Sequence, residues 1–174
     1  MQKINIVPLD GVYIENIGKL LLGHSKAEIE ILLGKPSASS NFLQFYYDDL
    51  ELRVDFDKQG NAEFIEFIYG PFPEKTELSI YDINPFQTGA EKLIEILTEK
   101  NNGEIDNSEA DYCFAFLNIS VGIWRQFTEQ NVRESIEEMQ RNNEYEVNKD
   151  WLHQDLEKAK NFWTIGIGVK NYYA

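Results

Sequence analysis

The chain is poor in positive charge: 16 lysines and arginines stand against 30 aspartates and glutamates, a net charge of −14. Nucleic-acid binding needs Lys and Arg to displace counterions from phosphates, so this surface repels nucleic acid. It repels anionic membranes for the same reason. A single cysteine, Cys113, excludes an internal disulfide. Flanked by Tyr112 and Phe114, it reads as a small buried hydrophobe, because an activated thiol needs an electropositive setting. The two histidines, His24 and His153, lie in different regions with no cysteine or carboxylate at ligand spacing. No metal and no cofactor are therefore expected. No stretch approaches the roughly 18 apolar residues of a membrane span. No long apolar run follows Met1-Gln2-Lys3-Ile4-Asn5, so a secretory signal is not expected and a cytoplasmic location follows by elimination. Neither G-x-x-x-x-G-K-[ST] nor G-x-S-x-G is present. Gly166-Ile167-Gly168 alternates with Ile165 and Val169, which fits a strand with a bare face better than a phosphate loop. No set of residues stands out as catalytic, so binding is expected and turnover is not.

What the chain does have is apolar mass. In 174 residues it is 43% hydrophobic and 13% aromatic, enough for one domain with a sizeable core. The clearest start signal is Ser25-Lys26-Ala27-Glu28, a capping box opening a short helix that Gly34 ends before Pro36. Ala27, Ile31, Leu32 and Leu33 form its expected apolar stripe. Three strand-like runs follow: Phe42 to Tyr47, Leu50 to Phe56, and Phe64 to Tyr69. Asp57-Lys58-Gln59-Gly60-Asn61 reads as the hairpin turn between the second and third. Gly70-Pro71-Phe72-Pro73 breaks the pattern and marks a half-boundary near 70–77.

The second half repeats this order. Thr88 is a candidate cap for a helix with Ala90, Leu93, Ile94 and Leu97 on one side, ended by Asn101-Asn102-Gly103. Strands follow at Tyr112–Phe116, at Ile119–Trp124 and around Ile165–Val169. The fold class predicted is α+β: an antiparallel sheet built from two helix-strand-strand-strand halves, about 1–76 and 77–174, in one domain spanning 1–174. The second half carries a charged helical insertion over 127–161. Its first helix is expected over 129–142 and its second from Asn148, with Trp151, Leu152, Leu156 and Ala159 facing inward.

Two acidic surfaces are the candidate partner-binding residues. Asp49, Glu51, Asp55 and Asp57 alternate with Leu50, Leu52, Val54 and Phe56, so they are expected to project the same way along one strand, with Arg53 among them. Like charges at this spacing repel, which favours either solvation or a basic partner. Glu134, Glu137 and Glu138 fall on one side of the first insertion helix.

The run Gly23-His24-Ser25-Lys26-Ala27-Glu28-Ile29-Glu30-Ile31-Leu32-Leu33-Gly34-Lys35-Pro36 resembles a pattern, G-M-[ST]-x-x-E-V-x-x-L-L-G-x-P, of β-lactamase-inhibitor-like and outer-membrane-lipoprotein small modules. His24 stands where that pattern has Met. Such modules pair short helices with antiparallel strands and bind other proteins. Tyr81-Asp82-Ile83-Asn84-Pro85-Phe86, Gly122-Ile123-Trp124-Arg125 and the run from Phe162 to Tyr173 are similar to segments of immunity proteins of contact-dependent growth-inhibition loci. That resemblance implies a cognate toxin domain as partner, commonly a nuclease, whose cationic surface the chain would occlude. It assigns no binding residues, because immunity surfaces diverge with their toxins. An adaptor or structural interaction module is the alternative.

Overall fold

The computed structural model describes residues 1–174. Short β-branched and aromatic runs broken by Gly, Asn and Asp favour strands joined by tight turns. The chain opens with three of them, β1 (Gln2–Val7), β2 (Gly11–Ile14) and β3 (Gly18–Leu21). Helix α1 (Lys26–Leu33) leads into β4 (Gln44–Tyr47), β5 (Leu52–Phe56) and β6 (Ala62–Phe67). After β7 (Thr76–Ile80), helix α2 (Ala90–Asn101) leads into β8 (Ile105–Asp106), β9 (Cys113–Phe116) and β10 (Val121–Trp124). Helices α3 (Glu129–Arg141) and α4 (Tyr145–Ala159) then interrupt the sheet before β11 (Thr164–Gly168). No helix is long and apolar enough to cross a membrane.

The class is α+β, with strands mostly antiparallel. The larger sheet has the order β4-β5-β6-β11-β10-β9-β8. The first half contributes a helix and the three-stranded meander β4-β5-β6, the second a helix and β9-β10-β11 with the two-residue strand β8 added at the edge, and the last strands of the two, β6 and β11, pair antiparallel at the junction. Ile65 lies opposite Ile167, and Phe64 opposite Gly168. The repeat of element order is thus also a spatial repeat about that junction.

A second sheet, β3-β2-β1-β7, has no counterpart in the sequence reading. Its strands are short, and β7 comes from the supposed half-boundary to run parallel to β1. The inward faces of both sheets share one core with Ile29 of α1 and with Ala90, Leu93 and Leu97 of α2.

Helix ends follow the local chemistry where that chemistry is complete. Ser25 Oγ accepts from Glu28 N–H while the Glu28 carboxylate accepts from Ser25 N–H at 2.8 Å. Gly34 ends α1 at φ 82°, a conformation that suits glycine. The apolar stripe differs from expectation. Ile29 is the buried residue of α1, Leu32 and Leu33 are half-buried, Ala27 is exposed and Ile31 is 86% exposed. A two-turn helix beside β3 buries only the line of contact with that strand, and tertiary packing selects which line. Thr88 is not the cap of α2. Gly89 occupies that position, and Thr88 Oγ1 instead donates to Asn84 O at 2.8 Å.

One carboxylate joins the sheets. Glu51 has a left-handed backbone (φ 52°) just before β5, which turns its side chain inward to 3% exposure. Its oxygens accept from Glu74 N–H (2.7 Å), Lys75 N–H (3.1 Å), Thr76 N–H (3.0 Å) and Thr76 Oγ1–H (2.6 Å). These donors lead into β7, so the charge is dispersed over the amides that position the second sheet. Removing the carboxylate strands buried donors without partners. Glu51→Ala is expected to cost about 3–5 kcal/mol in urea unfolding. A loss below about 1 kcal/mol would show that water or neighbouring groups satisfy those amides instead.

Candidate binding surface

The row Asp49, Glu51, Asp55 and Asp57 does not form. Glu51 is buried as described, and each of the other three has a separate task. Asp49 is fully exposed and pairs with Lys75 Nζ at 2.7 Å. Asp57 accepts from Gln59 N–H (2.9 Å) and Asn61 N–H (2.8 Å), stabilising its own hairpin turn. Those hydrogen bonds, chiefly the one from Asn61 N–H, hold its carboxyl below the usual range. Only Asp55 lies on the outer face of β5. The alternation holds from Leu52 to Phe56, but the turn before it reverses the direction of Glu51.

The outer face of the larger sheet is the side turned away from the core. Alternation places Arg53, Asp55, Phe64 and Glu66 there in the first half, and Gly122, Trp124, Gly166 and Gly168 in the second. Arg53 lies opposite Glu66 in the ladder, and Arg53 Nη2 reaches Glu66 Oε2 at 3.0 Å. Arg53 Nε lies 2.9 Å from Asp55 Oδ1, at an angle too bent for a good hydrogen bond. Burial raises the Asp55 and Glu66 carboxyls above their usual range, although Arg53 acts the other way. Both folded-state values thus exceed the unfolded ones. The stability they contribute is present below the ordinary carboxyl pKa and is lost as pH rises through the raised value. The sheet thus sets two partly desolvated carboxyl groups against one guanidinium.

The glycines make room for rings, so this face is not bare. A methyl group on Gly166 would overlap the Phe64 ring, one on Gly168 would meet Tyr172, and one on Gly122 would overlap Tyr173 Oη. The chain after β11 folds back to place those tyrosines. Phe64 and Tyr172 stack with centroids 4.6 Å apart and planes 3° from parallel. Tyr173 meets both edge-on, at 6.0 and 5.1 Å. Burial pushes the Tyr173 hydroxyl far above the usual tyrosine range. A second aromatic group adjoins the first. Trp124 meets Trp163 at 6.2 Å, and Trp163 meets Phe127 at 4.7 Å, both edge-on.

Phe127 and Trp163 flank the helical insertion, so this second group is the base of an α3–α4 arm. Tyr112 Oη–H donates to Asn131 Oδ1 (3.1 Å), Arg125 Nη1–H to Ala159 O (3.3 Å) and Ala90 N–H to Lys160 O (2.9 Å). Glu134, Glu137 and Glu138 are all exposed on α3, as the spacing predicts. Helix α4 starts three residues before Asn148. Its stripe toward the protein includes Leu152 and Ala159, while Trp151 is 42% exposed, contrary to expectation. Trp151 lies off that stripe, and its indole N–H donates to Asn148 Oδ1 at 3.0 Å.

Neither histidine lies on the sheet face; His153 is exposed on α4 of the arm. His24 Nδ1 accepts from Leu21 N–H, and His153 contacts the Tyr145 hydroxyl. Cys113 lies on the outer face opposite Trp124. The residues missed by sequence reasoning are Glu66, Trp124, Tyr172 and Tyr173. A signal for them existed: Gly122 and Trp124 share one strand parity, and Gly166 and Gly168 another, so small and large residues alternate on one face.

Comparison with protein families, with curated proteins and with solved structures finds no match to this chain.

Two outcomes follow from this geometry. Gly166→Ala is expected to destabilise by about 1–3 kcal/mol, because Phe64 must leave a well-packed position. A neutral effect in thermal unfolding would mean that the ring cover is loose. Burial, with Glu109 and Asp106 nearby, raises the Cys113 thiol. It should therefore react with iodoacetamide much more slowly in the folded protein than in urea, and Cys113→Ser should retain partner binding. Equal alkylation rates in the two conditions would reveal a reactive thiol.

Proposed function

We propose that this chain is a cytoplasmic immunity protein of a bacterial toxin–immunity pair. It binds a cognate toxin domain, a nuclease with a cationic surface, and holds it inactive by covering that surface without turnover. The observation that most supports this reading is the α3–α4 arm, attached to the body at its base and exposing Glu134, Glu137 and Glu138 together. Between residues 127 and 161 there are nine acidic against five basic side chains, and the whole chain carries a net charge of −14. A field of one sign steers a partner of the other sign and speeds encounter. A projecting element can also reach into a cleft that a flat sheet cannot enter.

The test is the toxin domain encoded by the adjacent reading frame. Co-expression should restore growth, and the two chains should co-purify in a fixed ratio. The association rate should fall tenfold or more on the order of magnitude expected for steered pairs as salt rises, because steering is screened beyond about 8 Å at physiological ionic strength. Growth arrest undiminished by this chain, with no complex formed, would sink the reading. A complex whose association rate ignores salt would sink its electrostatic part.

A further inference from the structure

A sheet face left to solvent ordinarily carries lysine, glutamate and threonine side chains. The outer face of the larger sheet instead exposes Tyr172 (36%) and Trp124 (41%) beside a floor of glycine. Large aromatic rings held on a rigid floor lose little conformational freedom on binding, and such rings dominate the energetics of protein interfaces.

The geometry points to this face, between Tyr172 and Trp124, as the docking seat for an arginine-bearing loop of a protein partner. Charge complementarity identifies the occupant. Asp55 and Glu66 outnumber Arg53 within one close cluster on the same face, leaving one acidic group in excess beside the rings. A second guanidinium would pair with that excess carboxyl group and favour its ionised form. Guanidinium is also the cation that best tolerates partial desolvation and stacks on tyrosine and tryptophan. The face is continuous with the arm, because Trp124 packs on Trp163 and Trp163 on Phe127 at the entry to α3. A partner seated here therefore reaches the acidic helix as well. Docking is onto the face and not by strand addition. At one sheet edge the chain already pairs with β4, Ser37 N–H donating to Tyr46 O and Tyr46 N–H to Ser40 Oγ. The strand at the other edge, β8, is only two residues long.

The toxin-binding reading supplies the partner's identity; the seat itself is argued from the face alone and can be tested without the toxin. The probe is N-acetylated tetra-arginine amide, titrated into the full chain at low salt and followed by the three indole N–H signals in nitrogen-correlated NMR. Trp124 reports the face, Trp151 the arm and Trp163 the junction between them. The Trp124 signal should move and saturate while Trp151 stays in place. The double variant Asp55→Asn, Glu66→Gln should bind the peptide about fivefold more weakly or worse. Trp124→Ala, an exposed position that should fold normally, should weaken binding of a fluorescent form of the peptide by a similar factor. Glu134→Gln, Glu137→Gln, Glu138→Gln should leave binding at the face intact. Movement of Trp151 alone, absence of binding, or affinity indifferent to both face variants would overturn the proposal. So would a Trp124 signal that moves with protein concentration in place of peptide, since the occupant would then be a second copy. A saturating peptide titration beside a failed toxin complex would reject the immunity reading and leave this surface standing. A toxin complex indifferent to both face variants would reject the surface alone.

Discussion

The pairing of β6 with β11 is the contact through which the larger sheet exists at all. It joins two meanders about a hundred residues apart in the chain, and its register sets Ile65 against Ile167 and Phe64 against Gly168. Closing so long a loop carries an entropic penalty that local turns do not. The pairing offsets it on both faces. On the inner face, isoleucine and phenylalanine meet across the junction and enter the core. On the outer face, Phe64 covers Gly166, a fit that no residue with a Cβ would permit. Gly166 and Gly168 are thus requirements of the junction, although in sequence they look like a weakness in a strand.

The inner face is closed by the second sheet. The backbone pairing of Gly23 and His24 to Ala62 is one point of attachment, and Glu51 is another. Its carboxylate receives three backbone amides and a hydroxyl from residues 74–76, next to the turn that starts β5. An ionised group without partners at that depth would be strongly unfavourable; with four donors it fixes where β7 begins. Lys75 reinforces the same junction through Asp49 and the carbonyl of Asp48. The acidic residues of this region therefore serve the fold first. Asp55 is the exception, since it faces outward with Glu66 around Arg53.

With the inner face closed, the outer face and the arm are left as contact surfaces, and they differ in character. The first half of the outer face is ionic, the second half glycine and aromatic. The arm is acidic along α3 and adjoins the aromatic part at its base. A cationic partner would meet long-range attraction at the arm and short-range packing at the face. The two differ in sensitivity to salt, because screening weakens attraction at a distance and leaves ring contacts largely unchanged.

Local chemistry alone determined several features of this chain. The capping box at Ser25 and Glu28, the hairpin at Asp57, the alternation in β5, β10 and β11, and the exposed acids on α3 depend on residues within a few positions of one another. Residues so close in the chain display those interactions in the sequence itself, although packing is needed to hold them. The order of a helix and three strands in each half was legible too, since it repeats such local patterns, but the edge strand β8 of the second half was not. Nor was the four-stranded sheet as a whole. Its first strand alternates Lys3, Ile4, Asn5 and Ile6 as β5 alternates its residues, so that strand was readable and was missed; its pairing was not readable, because β7 finds its partner more than seventy residues back. The direction of Glu51 was decided by one left-handed residue and by amides far along the chain. The candidate face, too, needed tertiary structure. Gly122, Gly166, Phe64 and Tyr173 acquire a common purpose only when β6, β11 and β10 lie side by side, because sequence records parity along one strand but not which strand becomes its neighbour.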